Sequence, residues 1–156
     1  MTINRTTLIL LAAAGSAAML LGAFAFQYIG GLAPCQLCLW QRWPHATAVL
    51  IGVPALLWGG RVLPLLGGAA ALTTAGIALF HTGVEQKWWE GLPSCTAGSI
   101  SGLSGADLLN TAIVVAPVVR CDEVAWAMAG LSMASWNGII SVVLALIWLR
   151  AAQRTA

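Results

Sequence analysis

Charged side chains are scarce in this chain of 156 residues, which has seven basic and five acidic residues, or 8% in all. A soluble domain has about 25% charged residues, so this composition excludes an ordinary soluble globule. The formal net charge of +2 is small, and no nucleic-acid partner is expected. Hydrophobic residues make up 60% of the chain, which favours an integral membrane protein.

The sequence also lacks the residue combinations that mark several enzyme classes. It contains no Ser/His/Asp set, no phosphate-binding loop and no pair of catalytic carboxylates. Its four cysteines are therefore the strongest candidates for chemistry.

Long stretches without charge predict an all-α membrane protein with four spanning helices in a bundle. No charged side chain lies between Arg5 and Arg42, Arg42 and Arg61, Arg61 and Glu85, or Glu123 and Arg150. Each stretch is close to or above the ~20 residues that cross the hydrocarbon core as a helix. The chain is predicted to form a single membrane domain with spans at about 7–27, 39–59, 62–83 and 134–150, and a loop at about 84–133.

The first span has an alternative interpretation as a cleaved signal peptide. Ala23-Phe24-Ala25 resembles a cleavage site. The apolar stretch around it is longer than the usual ~7–15 residues of a signal peptide, so a retained helix is favoured.

Basic residues predict the orientation of the bundle. One side collects Arg5, Arg61, Arg150 and Arg154. The positive-inside rule places this side, with both termini, in the cytoplasm. Because the first and third loops share the other side, all four cysteines face a compartment that permits disulfides. Trp58 and Trp148 are expected in an aromatic belt near the cytoplasmic face.

The loop at 84–133 is expected to carry a short helix that lies flat on the membrane. Ser104 and Asp107 form a capping-box-like pattern ahead of apolar residues, and ~12 residues are too few to span a bilayer. This helix either buries only its own apolar face or tethers Cys121 near the membrane surface.

Two cysteines form a C-x-x-C motif in the stretch APCQLCLW, residues 33–40. Cys38 is expected to begin the second helix, where the partial positive charge of the helix N-terminus favours a thiolate. Arg42 lies four residues later on the same helix face. It either stabilises that thiolate or only anchors the helix at the headgroups.

Four cysteines allow three disulfide pairings, and the simplest joins Cys35 to Cys38 and Cys95 to Cys121. A zinc site is the main alternative use of the thiols. Zinc ligands usually come as two short C-x₂₋₄-C pairs, whereas 25 residues separate Cys95 from Cys121. No metal is therefore expected.

Two histidines are secondary candidates. His81 falls at the cysteine side of the third span, four residues before Glu85, where it either lines a site or only satisfies hydrogen bonds. His45 falls within the second span, and the sequence gives it less weight.

Two stretches of the chain resemble the bacterial disulfide-bond formation protein B (DsbB) family. PCQLCLWQR, residues 34–42, is similar to the family's P-C-x-L-C motif with an arginine four residues after its second cysteine. CDEVAWAMAGLSMASW, residues 121–136, also keeps the family register. Gln27 and His81 lie near family positions, whereas Gln41 departs from an acid found in relatives.

The resemblance implies a quinone-linked thiol oxidase of the bacterial inner membrane, acting on a periplasmic thioredoxin-fold thiol oxidase. The electrons would leave the partner and pass in turn through Cys95, Cys121, Cys35 and Cys38. Arg42 and His81 would lie at the bound quinone, either ubiquinone or menaquinone.

Two other classes remain open. A vitamin-K-epoxide-reductase-like enzyme also combines a helix bundle, a C-x-x-C motif and a loop cysteine pair, although its C-x-x-C motif comes late in the bundle. A non-enzymatic membrane protein would use the same cysteines for structural disulfides or zinc.

Overall fold

The computed structural model describes residues 4–93 and 119–154. Cys95 and the expected interfacial helix near 104–113 lie outside the described residues. The elements, in chain order, are α1 (Arg5–Tyr28), α2 (Gln36–Leu57), α3 (Val62–Glu85), β1 (Ala127–Met128), β2 (Leu131–Ser132) and α4 (Met133–Gln153).

The four helices coincide with the four predicted spans to within about three residues at each end. Among the residues that the structure describes, three helices are long and apolar enough to cross a membrane, namely α1, α3 and α4. The chain is thus a multi-pass membrane protein. The span assigned to α2, which contains Arg42 and two prolines, stays a prediction.

The expectation that Cys38 begins the second helix is wrong. The helix α2 begins at Gln36, and Cys35 is its N-cap. The Cys35 Sγ accepts a hydrogen bond from the backbone N–H of Cys38 at 3.3 Å. A side-chain acceptor at this position satisfies a backbone donor that the helix itself leaves without a partner, so the helix starts two residues earlier than expected.

Small residues let α3 and α4 approach closely. The Trp148 side chain of α4 is completely buried, and a Cβ atom placed on Gly67 would lie 2.6 Å from its ring. The expected place of Trp148 in an aromatic belt is therefore wrong, because its ring fills the space above a glycine.

The two ends of the bundle differ in chemistry. At one end, the Arg5 guanidinium donates to the backbone oxygens of Trp58 and Gly60. The other end, called here the cysteine end, holds Cys35, the last turn of α3 and the β1–β2 hairpin.

The hairpin at the cysteine end was not predicted from the sequence. Ala127 pairs with Ser132 and Met128 with Leu131. The two residues between the strands, Ala129 and Gly130, have φ angles of 52° and 78°. Positive φ at both turn positions matches the twist of a tight hairpin, and this turn directs the chain into α4.

Candidate functional site

The two cysteines of the C-x-x-C motif lie together at the start of α2. Their Sγ atoms are 2.9 Å apart, with Cys35 as the donor and Cys38 as the acceptor. This hydrogen bond, together with burial, raises the pKa of the Cys35 thiol well above its ordinary value. Cys38 is thus the sulfur placed to hold negative charge.

Cys121 lies against this pair. It is completely buried, it is disulfide-bonded, and it belongs to one buried cluster with Cys35, Leu37 and Val84. The structure therefore brings three of the four predicted catalytic cysteines together. The pairing of Cys95 with Cys121 stays a prediction, since Cys95 is outside the described residues.

Ion pairs hold the segment that carries Cys121. The Asp122 carboxylate accepts from the Lys87 ammonium at 2.6 Å and from the Arg120 guanidinium at 2.7 Å. Both hydrogen bonds, that of Arg120 first, hold the pKa of Asp122 well below its usual range. We call Lys87, Arg120 and Asp122 the Asp122 clamp. It ties the residue after Cys121 to the turn that follows α3.

His81 lies directly at the cysteines. Its Nε2 atom is 3.6 Å from Cys35 Sγ and 3.8 Å from Glu85 Oε1, and the ring is hydrogen-bonded to the main chain of Cys121. Glu85 in turn accepts from the Ser132 hydroxyl. The imidazole thus contacts both the C-x-x-C motif and the segment that carries Cys121.

A cavity of about 440 Å³ opens beside Cys38. Most of its lining is apolar and comes from α1, α2, α4 and the hairpin region. In this lining the ring centroids of Trp126 and Phe26 lie 5.1 Å apart. Its polar lining residues are Cys38, Gln41, Arg42, His45, His81 and Asn137. A mostly apolar cavity with a few polar groups beside a sulfur suits a mostly apolar ligand that carries a few polar groups.

Arg42 is held at this cavity by two contacts. Its Nη1 donates to Gln27 Oε1 at 2.6 Å, and its guanidinium carbon lies 5.0 Å from the centre of the Phe24 ring. Both contacts come from α1, so the guanidinium is directed by protein groups at the site. These contacts favour the site role of Arg42 over that of a headgroup anchor.

His45 and Asn137 line the cavity, although His45 was only a minor candidate from the sequence and Asn137 was not a candidate. His45 is 3% exposed, and its Nε2 donates to Asn137 Oδ1 at 2.9 Å. Asn137 Nδ2 donates to Gln41 Oε1 at 2.5 Å. Polar side chains inside membrane helices are costly and mark functional interiors. The presence of His45 and Asn137 within apolar spans could therefore have identified them from the sequence.

Among the described residues, one group of three side chains could bind a metal ion. Cys35, Cys38 and His81 place their ligand atoms within 4.8 Å of one another. A structural zinc site needs four, and the described residues form no larger group of this kind. The expectation that the chain uses no metal stays untested.

Comparison with known proteins gives a consistent result. The family model described as "Disulfide bond formation protein DsbB" matches residues 5–151. A disulfide bond formation protein B from Methylococcus capsulatus is 33% identical over 126 residues, which is 77% of each chain. The protein of that name from Stutzerimonas stutzeri is 29% identical over 91% of this chain and 92% of its own. No solved structure is a significant match.

Proposed function

The chain belongs to the DsbB family of disulfide bond formation proteins, and on this basis we propose that it is a membrane thiol oxidase that links a periplasmic partner to a quinone. The partner is a dithiol oxidase of the thioredoxin fold. The electrons pass through two cysteine pairs to a quinone in the membrane.

The observation that supports this most strongly is that Cys121, Cys35 and Cys38 come together at the cysteine end of the bundle. Cys121 shares a buried cluster with Cys35, and Cys38 lines the cavity. A thiolate released at Cys121 is thus close to Cys35, and Cys38 borders the cavity in which a ligand would bind.

Thiol–disulfide exchange then gives the order of steps. A thiolate of the reduced partner attacks Cys95 of the Cys95–Cys121 disulfide, and Cys121 leaves as a thiolate. Cys121 attacks Cys35, the Cys35–Cys38 bond breaks, and its electron pair passes to Cys38. The second thiol of the partner resolves the mixed disulfide, so the partner leaves oxidised.

A quinone, when bound, supplies a two-electron, two-proton acceptor. The residues that would hold it are Arg42, through its donors, and His81, whose ring lines the polar end of the cavity, and the apolar walls suit the ring and tail of a quinone. The Arg42 guanidinium would orient a carbonyl oxygen with its planar donors. The same charge would stabilise the Cys38 thiolate in a place where water screens it little.

This function requires a particular orientation in the bacterial inner membrane. The cysteine end would face the periplasm, and both chain termini would lie in the cytoplasm. The arginines at the opposite end of the bundle support this placement.

The proposal is tested by quinone reduction with purified protein and a reduced thioredoxin-fold partner. We expect turnover in the wild type and its loss when any one cysteine is replaced by serine. Incubated with the oxidised partner, Cys121→Ser should form a mixed disulfide between Cys95 and the partner, because the Cys95 thiolate attacks the partner's disulfide and Cys121 is no longer there to displace the partner.

The matched control for trapping is Cys95→Ser, which should give no adduct. An adduct that forms through Cys121 instead would reverse the assignment of the first cysteine. Wild-type protein that cannot reduce quinone with any reduced partner of this fold would reject the function.

A further inference from the structure

A continuous chain of buried hydrogen bonds leads from the interior of the bundle to Cys35. His45 donates to Asn137, and Asn137 donates to Gln41, as described above. The Nε2 of Gln41 lies 3.0 Å from His81 Nδ1, and His81 Nε2 lies 3.6 Å from Cys35 Sγ.

A backbone carbonyl fixes the orientation of the Gln41 amide. The Nε2 of Gln41 is 3.2 Å from the Leu37 oxygen, and a carbonyl oxygen only accepts hydrogen bonds. The amide nitrogen must therefore point to this side, and it donates its second proton to His81 Nδ1.

A second carbonyl fixes the orientation of Asn137. The Thr74 hydroxyl donates to the Gln41 backbone oxygen at 3.1 Å, which uses its only proton. Thr74 Oγ1 can then only accept, and its partner at 3.5 Å is Asn137 Nδ2. The nitrogen of Asn137 thus faces Thr74 and the Gln41 side-chain oxygen, in agreement with the orientation derived for Gln41.

These two anchors decide the tautomer of His81. Because Nδ1 accepts from Gln41, the neutral ring carries its proton on Nε2. This proton is shared between the main chain of Cys121, to which the ring is hydrogen-bonded, and Cys35 Sγ at 3.6 Å. We propose that Gln41, held by Asn137 and Thr74, is a positioning residue that keeps His81 in the Nε2–H tautomer, so that the ring donates toward the sulfur of Cys35.

The consequence lies in the sulfur exchange of the proposed function, on which this inference rests. After the oxidised partner has left, Cys95 is a free thiolate. In the proposed cycle this thiolate attacks Cys121 and breaks the bond between Cys35 and Cys121. The new disulfide forms at Cys121, and the electron pair of the old bond passes to Cys35 Sγ. A proton on His81 Nε2 stabilises this negative charge, whereas a lone pair on Nε2 would repel it.

The tautomer can be measured without any assay of function. The chain has only two histidines, so protein labelled with ¹⁵N-histidine gives two imidazole spectra, and His45→Gln assigns them. We expect His81 in the wild type to be protonated on Nε2 and not on Nδ1. Protonation on Nδ1 alone would overturn the proposal, whether or not the protein reduces quinone.

The variant Gln41→Met tests the role of Gln41, since it keeps the length of the side chain and removes its donors. We expect both His81 tautomers to become populated. In a single turnover, the release of Cys35 from Cys121 should slow about tenfold, the size expected for one hydrogen bond to a charged group. An unchanged tautomer in this variant would show that Gln41 does not set it.

Ser16→Ala is the matched control for the loss of a buried polar group. Ser16 is completely buried in α1 and lies outside the hydrogen-bond chain, so its variant should keep both the tautomer and the rate. A merely structural role of Gln41 would lower thermal stability and leave the His81 spectrum unchanged, and this result would also reject the proposal.

Discussion

Arg42 is held in place by the side chains of Gln27 and Phe24, and this determines how its replacement should behave. Lysine can still reach the interface, but it lacks the planar fork that, in the proposed function, would contact Gln27 and a quinone carbonyl oxygen together. We expect Arg42→Lys to insert normally and to raise the apparent KM for quinone about tenfold, the size expected for one charge-assisted hydrogen bond. Arg42→His should raise it further at pH 7 to 8, where an ordinary imidazole is mostly neutral.

Quinone kinetics at saturating reduced partner measure this effect. The matched control is Arg61→Lys, since Arg61 lies at the end of the bundle opposite the cysteines. The apparent KM of this variant for quinone should equal that of the wild type. If both Arg42 variants kept the wild-type KM, Arg42 would be an anchor and the quinone contact would have to lie elsewhere, with His81 the next candidate.

The segment that carries Cys121 depends on the Asp122 clamp. In Asp122→Asn the carboxylate is lost, and Lys87 and Arg120 lose their shared partner. We expect a small dithiol to reduce the disulfide of Cys121 faster by a factor of about two to five, which is the range for exposed ion pairs. Glu123→Gln is the control, because Glu123 is largely exposed and, among the residues that the structure describes, its ion-pair partner is Arg120 alone. Equal reduction rates in the two variants would show that the clamp does not protect this disulfide.

The pH dependence of the clamp follows from the lowered pKa of Asp122. A carboxyl group whose pKa lies below its ordinary value of 3.8 stabilises the folded state above that value and loses this effect as the pH falls through the lower folded pKa. We therefore expect the reduction rate, corrected for the thiolate fraction of the dithiol, to stay constant from pH 8 to pH 5. A corrected rate that rises across this interval would contradict the assignment of the clamp to Asp122.

The elements show where prediction from the sequence reached its limit. The gaps between charges located all four helices, because each helix must satisfy its own backbone and needs about the same apolar length. The contacts of Asn137 with Gln41 and His45 join positions more than 90 residues apart. They depend on which helix faces meet, and apolar length does not specify this. The Ala129–Gly130 turn was missed because alanine is uncommon at positive φ.

At the scale of the whole bundle, the contact between Gly67 and Trp148 should control stability. A Cβ at Gly67 would collide with the ring, so we expect Gly67→Ala to lower the free energy of unfolding by about 1–3 kcal/mol, the usual effect of overpacking. Thermal unfolding in detergent measures this. Gly76→Ala is the control, since a Cβ there has no neighbour within 4 Å. A wild-type melting temperature in Gly67→Ala would contradict this packing.

The orientation of the whole molecule is open to a direct chemical test. We expect a membrane-impermeant thiol reagent to label the reduced protein in intact spheroplasts, because the cysteine end is proposed to face the periplasm. A protein with a single cysteine introduced at Gln153, in a background without the natural cysteines, should be labelled only after lysis. The reverse pattern would invert the topology.

The sulfur that caps α2 also takes part in the proposed chemistry. Cys35 Sγ accepts the backbone N–H of Cys38, and a sulfur in a disulfide is a weaker acceptor than one that carries negative charge. The strength of this one helix-capping bond should then change each time an electron pair passes. The Cys38 amide proton is thus a built-in spectroscopic reporter, whose chemical shift and exchange rate follow the oxidation state of the pair without an added probe.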